Sequence, residues 1–286
     1  MFSWMPAAPA SSSAQQDLHA CVQLMRSGSK TFFAASRLLP ARMREASIAL
    51  YAFCRVADDL VDEGPAGVDP LAQLSDRLDA IYAGRPGSHV EDRALAAVVQ
   101  LYQLPRPLLD ALLEGFAWDG QARTYDTLEQ VHDYAARVAG SVGAMMAWLR
   151  GVRDAATLAR ACELGVAMQL TNIARDVGTD AGLGRIYLPR QWLREAGIEP
   201  EAWLRSPACT PALQAVVERL LKEADRLYVQ ASAGIAQLPA DCRPAIAAAR
   251  LVYAEIGQQL RRDGLDSVTR RAVVPGWRKS QLLMRA

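Results

Sequence analysis

The chain has 286 residues, 51% of them hydrophobic and 22% charged, a globular composition long enough for one large or two ordinary domains. Its net charge of +1 excludes a nucleic-acid binder that relies on broad basicity, and no run of about 18 apolar residues offers a membrane span. Five cysteines, with no CxxC pair among them, give neither a zinc site nor a disulfide framework and fit a reducing, cytoplasmic setting.

Residues 1–16, rich in Ala, Pro and Ser, read as a flexible tail without the charged and apolar regions of a signal peptide. Alanine and leucine are plentiful and aromatics are only 7%, which favours helices over sheets. Helical patterns cover roughly 17–25, 41–62, 70–83, 91–103, 107–118, 128–149, 156–177, 211–236 and 239–263. Pro107, Pro211 and Pro239 fall near proposed helix starts, where a missing N–H costs nothing. Gly64–Pro65–Ala66–Gly67, Gly84–Arg85–Pro86–Gly87, Gly182–Leu183–Gly184 and Ser206–Pro207 punctuate the pattern. With no repeat and no long linker, a single all-α domain over 17–286 is the simplest organisation.

Two helices carry the chemistry. At 100° per residue, Tyr51, Arg55, Asp58 and Asp62 fall within about 60° of arc, with Asp59 at the edge of the stripe. The rest of that helix is largely apolar: Ile48, Leu50, Phe53, Cys54, Val56 and Leu60. Gln169, Asn172, Asp176 and Asp180 likewise fall within about 80°, provided the helix reaches that far. Leu164, Val166, Ala167, Met168, Leu170, Ile173 and Ala174 surround them. A helix so apolar is expected to be buried, so its carboxylates must face a cavity, because burying an unpaired charge is prohibitive. Two acidic stripes on one cavity suit hard divalent cations, which take oxygen ligands and bridge carboxylates to phosphates. A single DDxxD on a helix is as readily a solvated face; two matching stripes in apolar surroundings are not.

Phosphates also call for cations from the protein, and Arg55, Arg175 and Arg185 flank the two motifs. Ser27–Gly28–Ser29–Lys30–Thr31 offers hydroxyls, an ammonium and backbone near a helix boundary. It is not a P-loop, and Gly182–Leu183–Gly184 is not a dinucleotide fingerprint.

The segments Gly28–Phe32, Tyr51–Asp62 and Gln169–Asp180 resemble those of the squalene/phytoene synthase family, and Gly184–Arg185–Ile186–Tyr187–Leu188–Pro189 resembles the phytoene branch. The likeness spans nearly all of the chain beyond the first 16 residues. It implies an all-α isoprenoid-synthase bundle around a central cavity. It also implies a head-to-head condensation of two geranylgeranyl diphosphates, through prephytoene diphosphate, to phytoene in carotenoid biosynthesis. Mg²⁺ is the implied metal, with Mn²⁺ as a second candidate, and no NADPH is expected. By the same resemblance, Asp58 and Asp62 hold the metal of one diphosphate, and Asn172, Asp176 and Asp180 form the opposing set. Tyr51 and Arg55 join the catalytic group, and Ser29, Lys30 and Thr31 form the diphosphate clasp. Asp59, Gln169, Arg175, Tyr187, Tyr253 and Arg270 are further substrate contacts. Thr179 stands where the family often carries Glu, and lies off the acidic stripe.

An oily substrate is compatible with peripheral membrane contact; no nucleic-acid partner is expected. A C15-using dehydrosqualene or squalene-type synthase is the nearest rival, set apart by cavity depth; Ala34, Ala35 and Ser36 are small enough to leave room for a longer chain. A non-catalytic helical binding protein is a further alternative, opposed by the intact acids. The small-residue stretch Tyr134–Gly143 reads as close helix packing or as a kinked cavity wall. Asp119 is a cavity carboxylate or an exposed helix-end acid. The glycine-bearing segment 181–188 is expected to act as a lid.

Overall fold

A computed structural model of the chain describes residues 12–63 and 69–286. Their elements are helical, without a strand among the described residues. In order they are α1 (Ser12–Gly28), α2 (Lys30–Ser36), α3 (Ala41–Glu63), α4 (Pro70–Tyr82), α5 (Val90–Tyr102), α6 (Arg106–Gly120) and α7 (Leu128–Ala135). A π-helical turn (Ala136–Gly140) leads into α8 (Ser141–Leu149). Then come α9 (Ala155–Arg175), α10 (Val177–Gly182), α11 (Arg190–Glu195), α12 (Pro200–Arg205), α13 (Pro211–Ile235), α14 (Arg243–Arg262) and α15 (Gly276–Leu283).

Helices α4, α7, α9 and α13 start at side-chain caps. Asp69 and Asp154 accept backbone N–H groups at the starts of α4 and α9, Thr127 and Gln130 close a capping box on α7, and Thr210 caps α13. The short helices α2, α11, α12 and α15 escape a periodicity search, having too few turns to show an apolar stripe. Ser12–Gln16, expected in the tail, lie in α1, where Asp17 ties the helix to Arg93 (2.8 Å); residues 1–11 lie outside the described residues, as does the Gly64–Gly67 breaker. α14 begins at Arg243 with Pro244 in its first turn, not near Pro239.

Two apolar clusters organise the bundle. One gathers α3–α6 and α8 around Leu50, Phe53, Leu74, Leu78, Leu95 and Met145; the other gathers α7, α9, α13 and α14 around Ala167, Leu170, Val217, Leu220 and Leu260. A cavity of about 680 Å³ opens among them, walled by Leu112, Phe116, Val138, Val142, Met146, Leu164, Met168, Ile246 and Ile256 among others.

The expected unbroken helix over 128–149 is interrupted by the π turn. Tyr134, Val138 and Val142 line the cavity along this stretch; such bulges recur at functional sites. Glycines then bring α8 and α9 together. A Cβ on Gly143 would lie 2.2 Å from the Ala161 carbonyl oxygen, and one on Gly165 would lie 2.2 Å from that of Ala139. Close packing and cavity wall are therefore one feature, with the two helices antiparallel: 143 meets 161, and 139 meets 165. Gly165→Ala should destabilise the fold by about 2 kcal/mol or more through this backbone clash. Gly87→Ala, exposed and with no neighbour within 4 Å, should stay within about 0.5 kcal/mol. Thermal or urea unfolding of the pair checks the difference.

Candidate active site

The first acidic stripe forms as the sequence implies. α3 runs unbroken through Tyr51, Arg55, Asp58, Asp59 and Asp62, burying Leu50, Phe53 and Ala57 on its other faces. Arg55 sits between Asp58 (3.5 Å) and Asp59 (3.0 Å). Asp58, Arg55 and Tyr51 line the cavity. Asp62 stands at the rim, where Arg185 reaches it from the other side of the mouth (2.9 Å).

The second stripe departs from a straight helix. α9 ends at Arg175, and Asp176 adopts a non-helical φ/ψ of −105°/14° before α10 begins. The cause is the chain after α14. The Gly178 N–H donates to the Ser267 carbonyl (2.8 Å) rather than continuing the helical ladder. A Cβ on Gly178 would lie 2.1 Å from the Val268 carbonyl oxygen, so only glycine permits this approach. One turn still relates Asp180 to Asp176, since the Asp180 N–H donates to the Asp176 carbonyl (2.8 Å). Thr179 is exposed, off the stripe.

Docking of residues 267–268 also delivers Arg271. Its guanidinium forms a two-point contact with Asp176 (2.7 and 3.2 Å), which Arg175 also binds (Nε, 2.7 Å). Arg271 lines the cavity, whereas Arg270, the residue expected there, turns to the Asp263 carbonyl at the end of α14. The basic pair 270–271 sits in an irregular segment, so no periodicity distinguishes which arginine points inward.

Asp119, at the end of α6, belongs to the recess. It lines the cavity and accepts hydrogen bonds from the Tyr134 (2.8 Å) and Tyr187 (2.6 Å) hydroxyls, whose rings stack at 5.0 Å. The helix-end acid is thus partly buried rather than a solvated surface group. Tyr187 and Arg185 fasten segment 181–188 across the mouth, with Ile186, Tyr187 and Leu188 buried. The expected lid is packed down on Asp119 and Asp62.

Gln169, Asn172, Arg175 and Tyr253 also face the cavity. The Tyr253 ring lies 5.3 Å from Phe32, which lies 6.1 Å from Tyr51; burial pushes the Tyr253 hydroxyl up to about 12. Ser29 lines the cavity and caps α2 through the Phe32 N–H (3.2 Å). The side chains of Lys30 and Thr31 lie outside the described residues.

The recess is short of positive charge. Burial, reinforced by Asp62, pushes Asp58 up to about 6. Its side chain is 44% exposed, but it opens onto other carboxylates. Burial and the nearby Asp176 push Asp180 up to about 7, and burial raises Asp119 against its tyrosine hydrogen bonds. Asp176 is desolvated too, yet Arg175 and Arg271 hold it below the usual carboxylate range. One turn before Asp176, the Asn172 side-chain oxygen is buried without a hydrogen-bond partner, while its amide points to Gln169 (3.4 Å). An unpartnered neutral oxygen beside several like-charged carboxylates fits a hard cation. Among the described residues no three such groups converge closely enough to hold an ion unaided.

A family model for squalene/phytoene synthases matches residues 25–278. The chain belongs to the squalene/phytoene synthase family. It is 56% identical to the phytoene synthase of Cereibacter sphaeroides over 269 residues, covering 91% of this chain and 76% of the relative. It is 54% identical to the phytoene synthase of Rhodobacter capsulatus over 273 residues, covering 94% and 80%. A crystal structure of a dehydrosqualene synthase in complex with ligand superposes with a TM-score of 0.88 at 33% identity, covering 95% of each chain. The fold is that of the helical isoprenoid synthases. The relatives support phytoene synthase function in carotenoid biosynthesis and an enzyme of the prenyltransferase type. The family is a prenyl-diphosphate-using class, typically metal-dependent. No described helix is long and apolar enough to cross a membrane.

The raised carboxyls set a pH dependence. A carboxyl whose folded pKa lies above its unfolded value contributes stability at low pH that is lost as pH rises through the folded value. In EDTA, the melting temperature should therefore fall between about pH 5 and pH 8, the window spanned by Asp58 and Asp180, and Asp180→Asn should flatten the fall. Scanning calorimetry across that range checks this; a flat or rising profile for the unsubstituted protein contradicts it.

Proposed function

We propose that the protein condenses two geranylgeranyl diphosphates head to head, through prephytoene diphosphate, releasing two diphosphates and a proton to leave phytoene. The reading rests on one observation above all: acidic groups from α3, α6, the α9–α10 junction and α10 gather with Arg55, Arg175, Arg185 and Arg271 at the polar end of an apolar cavity.

In this reading Asp58 and Asp62 on one side, and Asn172, Asp176 and Asp180 on the other, hold magnesium ions. Mg²⁺ keeps several waters and binds through one or two carboxylates plus substrate phosphates, so an open arrangement of acids suits it. When bound, the ions supply charge that stabilises departing diphosphate. Arg175 and Arg271 are placed to exchange Asp176 for diphosphate oxygens, and Arg55 to do so from Asp58 and Asp59. Ser29 lines the same cavity as Tyr51 and Tyr253 and, by the family resemblance, forms the clasp together with Lys30 and Thr31; Gln169 orients Asn172. Arg270, turned to Asp263, has no part in the clasp.

Loss of the first diphosphate gives an allylic cation, which the double bond of the second molecule attacks to form a cyclopropylcarbinyl diphosphate. Loss of the second diphosphate, rearrangement and release of a proton complete phytoene without a reductant. Walls such as Leu112, Phe116, Val142, Leu164 and Met168 exclude the water that would quench each cation. The C20 substrate is favoured over C15 by the 54–56% identity to phytoene synthases against 33% to the dehydrosqualene synthase. Small Ala35 and Ser36 on the cavity wall agree with it.

Incubation with labelled C15 and C20 diphosphates, Mg²⁺ and no NADPH should give phytoene from the C20 substrate, with turnover lost in EDTA. A hydrocarbon from C15 alone contradicts the reading. Asp58→Ala and Asp176→Ala should each fall to about a hundredth of the unsubstituted rate or less while keeping their helical circular dichroism.

A further inference from the structure

The end of the cavity away from the acids holds a charge that the reaction scheme does not use. Arg150 follows α8 directly and lines the cavity, yet is only 7% exposed. One Nη donates to the Met146 carbonyl; Nε and the other Nη find no oxygen or nitrogen acceptor and have only the weakly accepting Cys242 thiol beside them. Burial lowers its pKa, with the neighbouring Cys242 thiol and the Asp241 carboxylate acting in the opposite sense. Leu39, Ala147, Leu238 and Ala245 line this end, with Thr157 and Arg160, the latter paired with Glu163, on the facing start of α9.

The antiparallel register of α8 and α9 fixes the depth. Gly143 meets Ala161, so Arg150, two turns further along α8, lies level with the first turn of α9. Thr157 in that turn and Asn172 near the acids both line the cavity, and they are separated by about 22 Å of helix. Arg150 therefore stands at the far end of the space that an extended tail would occupy.

We propose that Arg150 closes the tail end of this cavity and sets the longest prenyl chain the enzyme accepts, excluding a C25 diphosphate. This rests on the prenyl-diphosphate reading above. A desolvated guanidinium whose remaining donors meet only a thiol is a poor neighbour for terminal methyl groups. A tail one isoprene longer would have to press against it, stripping any water from those donors. On this assignment a C20 tail stops short of that contact. Methionine is apolar, of similar length and unbranched, and in place of Arg150 it would extend the apolar wall to its end.

The test compares kcat/KM for C20 and C25 diphosphates in the unsubstituted protein, Arg150→Met and Arg150→Lys, with melting temperatures for all three. The unsubstituted protein should use C20 and reject C25. Arg150→Met should raise the C25-to-C20 ratio by about tenfold or more with C20 kcat within about twofold, and Arg150→Lys should keep the original ratio. The melting temperature of Arg150→Met should match or exceed the original, because an incompletely paired buried charge is removed. The assignment is overturned by an unchanged ratio in Arg150→Met, by equal use of C25 in the unsubstituted protein, or by collapse of the Arg150→Met fold, which would make the guanidinium a structural tie. An unsubstituted protein inert toward C20 would instead sink the prenyl-diphosphate reading itself.

Discussion

Carboxylates repelling one another in a desolvated recess are the constraint on which the rest of the structure depends. Asp58, Asp62, Asp119, Asp176 and Asp180 are brought there by helices whose other faces are committed to the core, so none can turn away without unpacking Leu50, Phe53, Leu170 or Ala174. Arginines offset part of the repulsion. Arg175 and Arg271 hold Asp176 ionised, and Arg185 bridges to Asp62. Asp58 and Asp180 remain under-compensated, with raised proton affinities. A recess built this way is poised to gain cations and anions together, which a metal–diphosphate complex supplies.

The cavity behind the recess has complementary requirements. It must be dry, and its walls must come from helices close enough to seal it. The glycine contacts at 140, 143 and 165 draw α8 and the π turn against α9, and Tyr134, Val138 and Val142 on the same stretch face inward. Tyr134 then links wall to mouth through Asp119, and Tyr187 fastens segment 181–188 to the same carboxylate.

The first acidic stripe was fully legible, because α3 is long, regular and apolar on its other faces, so wheel angles translate directly into direction. The second was legible only through Asn172. Beyond it, the jog at Asp176 is imposed by residues 267–268, nearly a hundred positions away, and helical periodicity carries no trace of that contact. Asp119 shows no pattern by itself; its place follows from two tyrosines on other elements. Arg271 was lost to its neighbour Arg270 because an irregular segment has no period to fix which side faces in. Apolar periodicity and Gly/Pro punctuation made the long helices readable, whereas the short ones depend on tertiary packing that local propensity does not encode.

Thermal melts at pH 8 with Mg²⁺, with inorganic diphosphate, and with both test most directly whether the acidic recess is a metal–diphosphate site. At that pH the Asp58 and Asp180 carboxyls are ionised, so repulsion within the recess is greatest. The two ligands together should raise the melting temperature by clearly more than the sum of their separate effects, since each supplies the charge the other needs. An equal rise with diphosphate in EDTA, or additive effects of the two, would contradict the account.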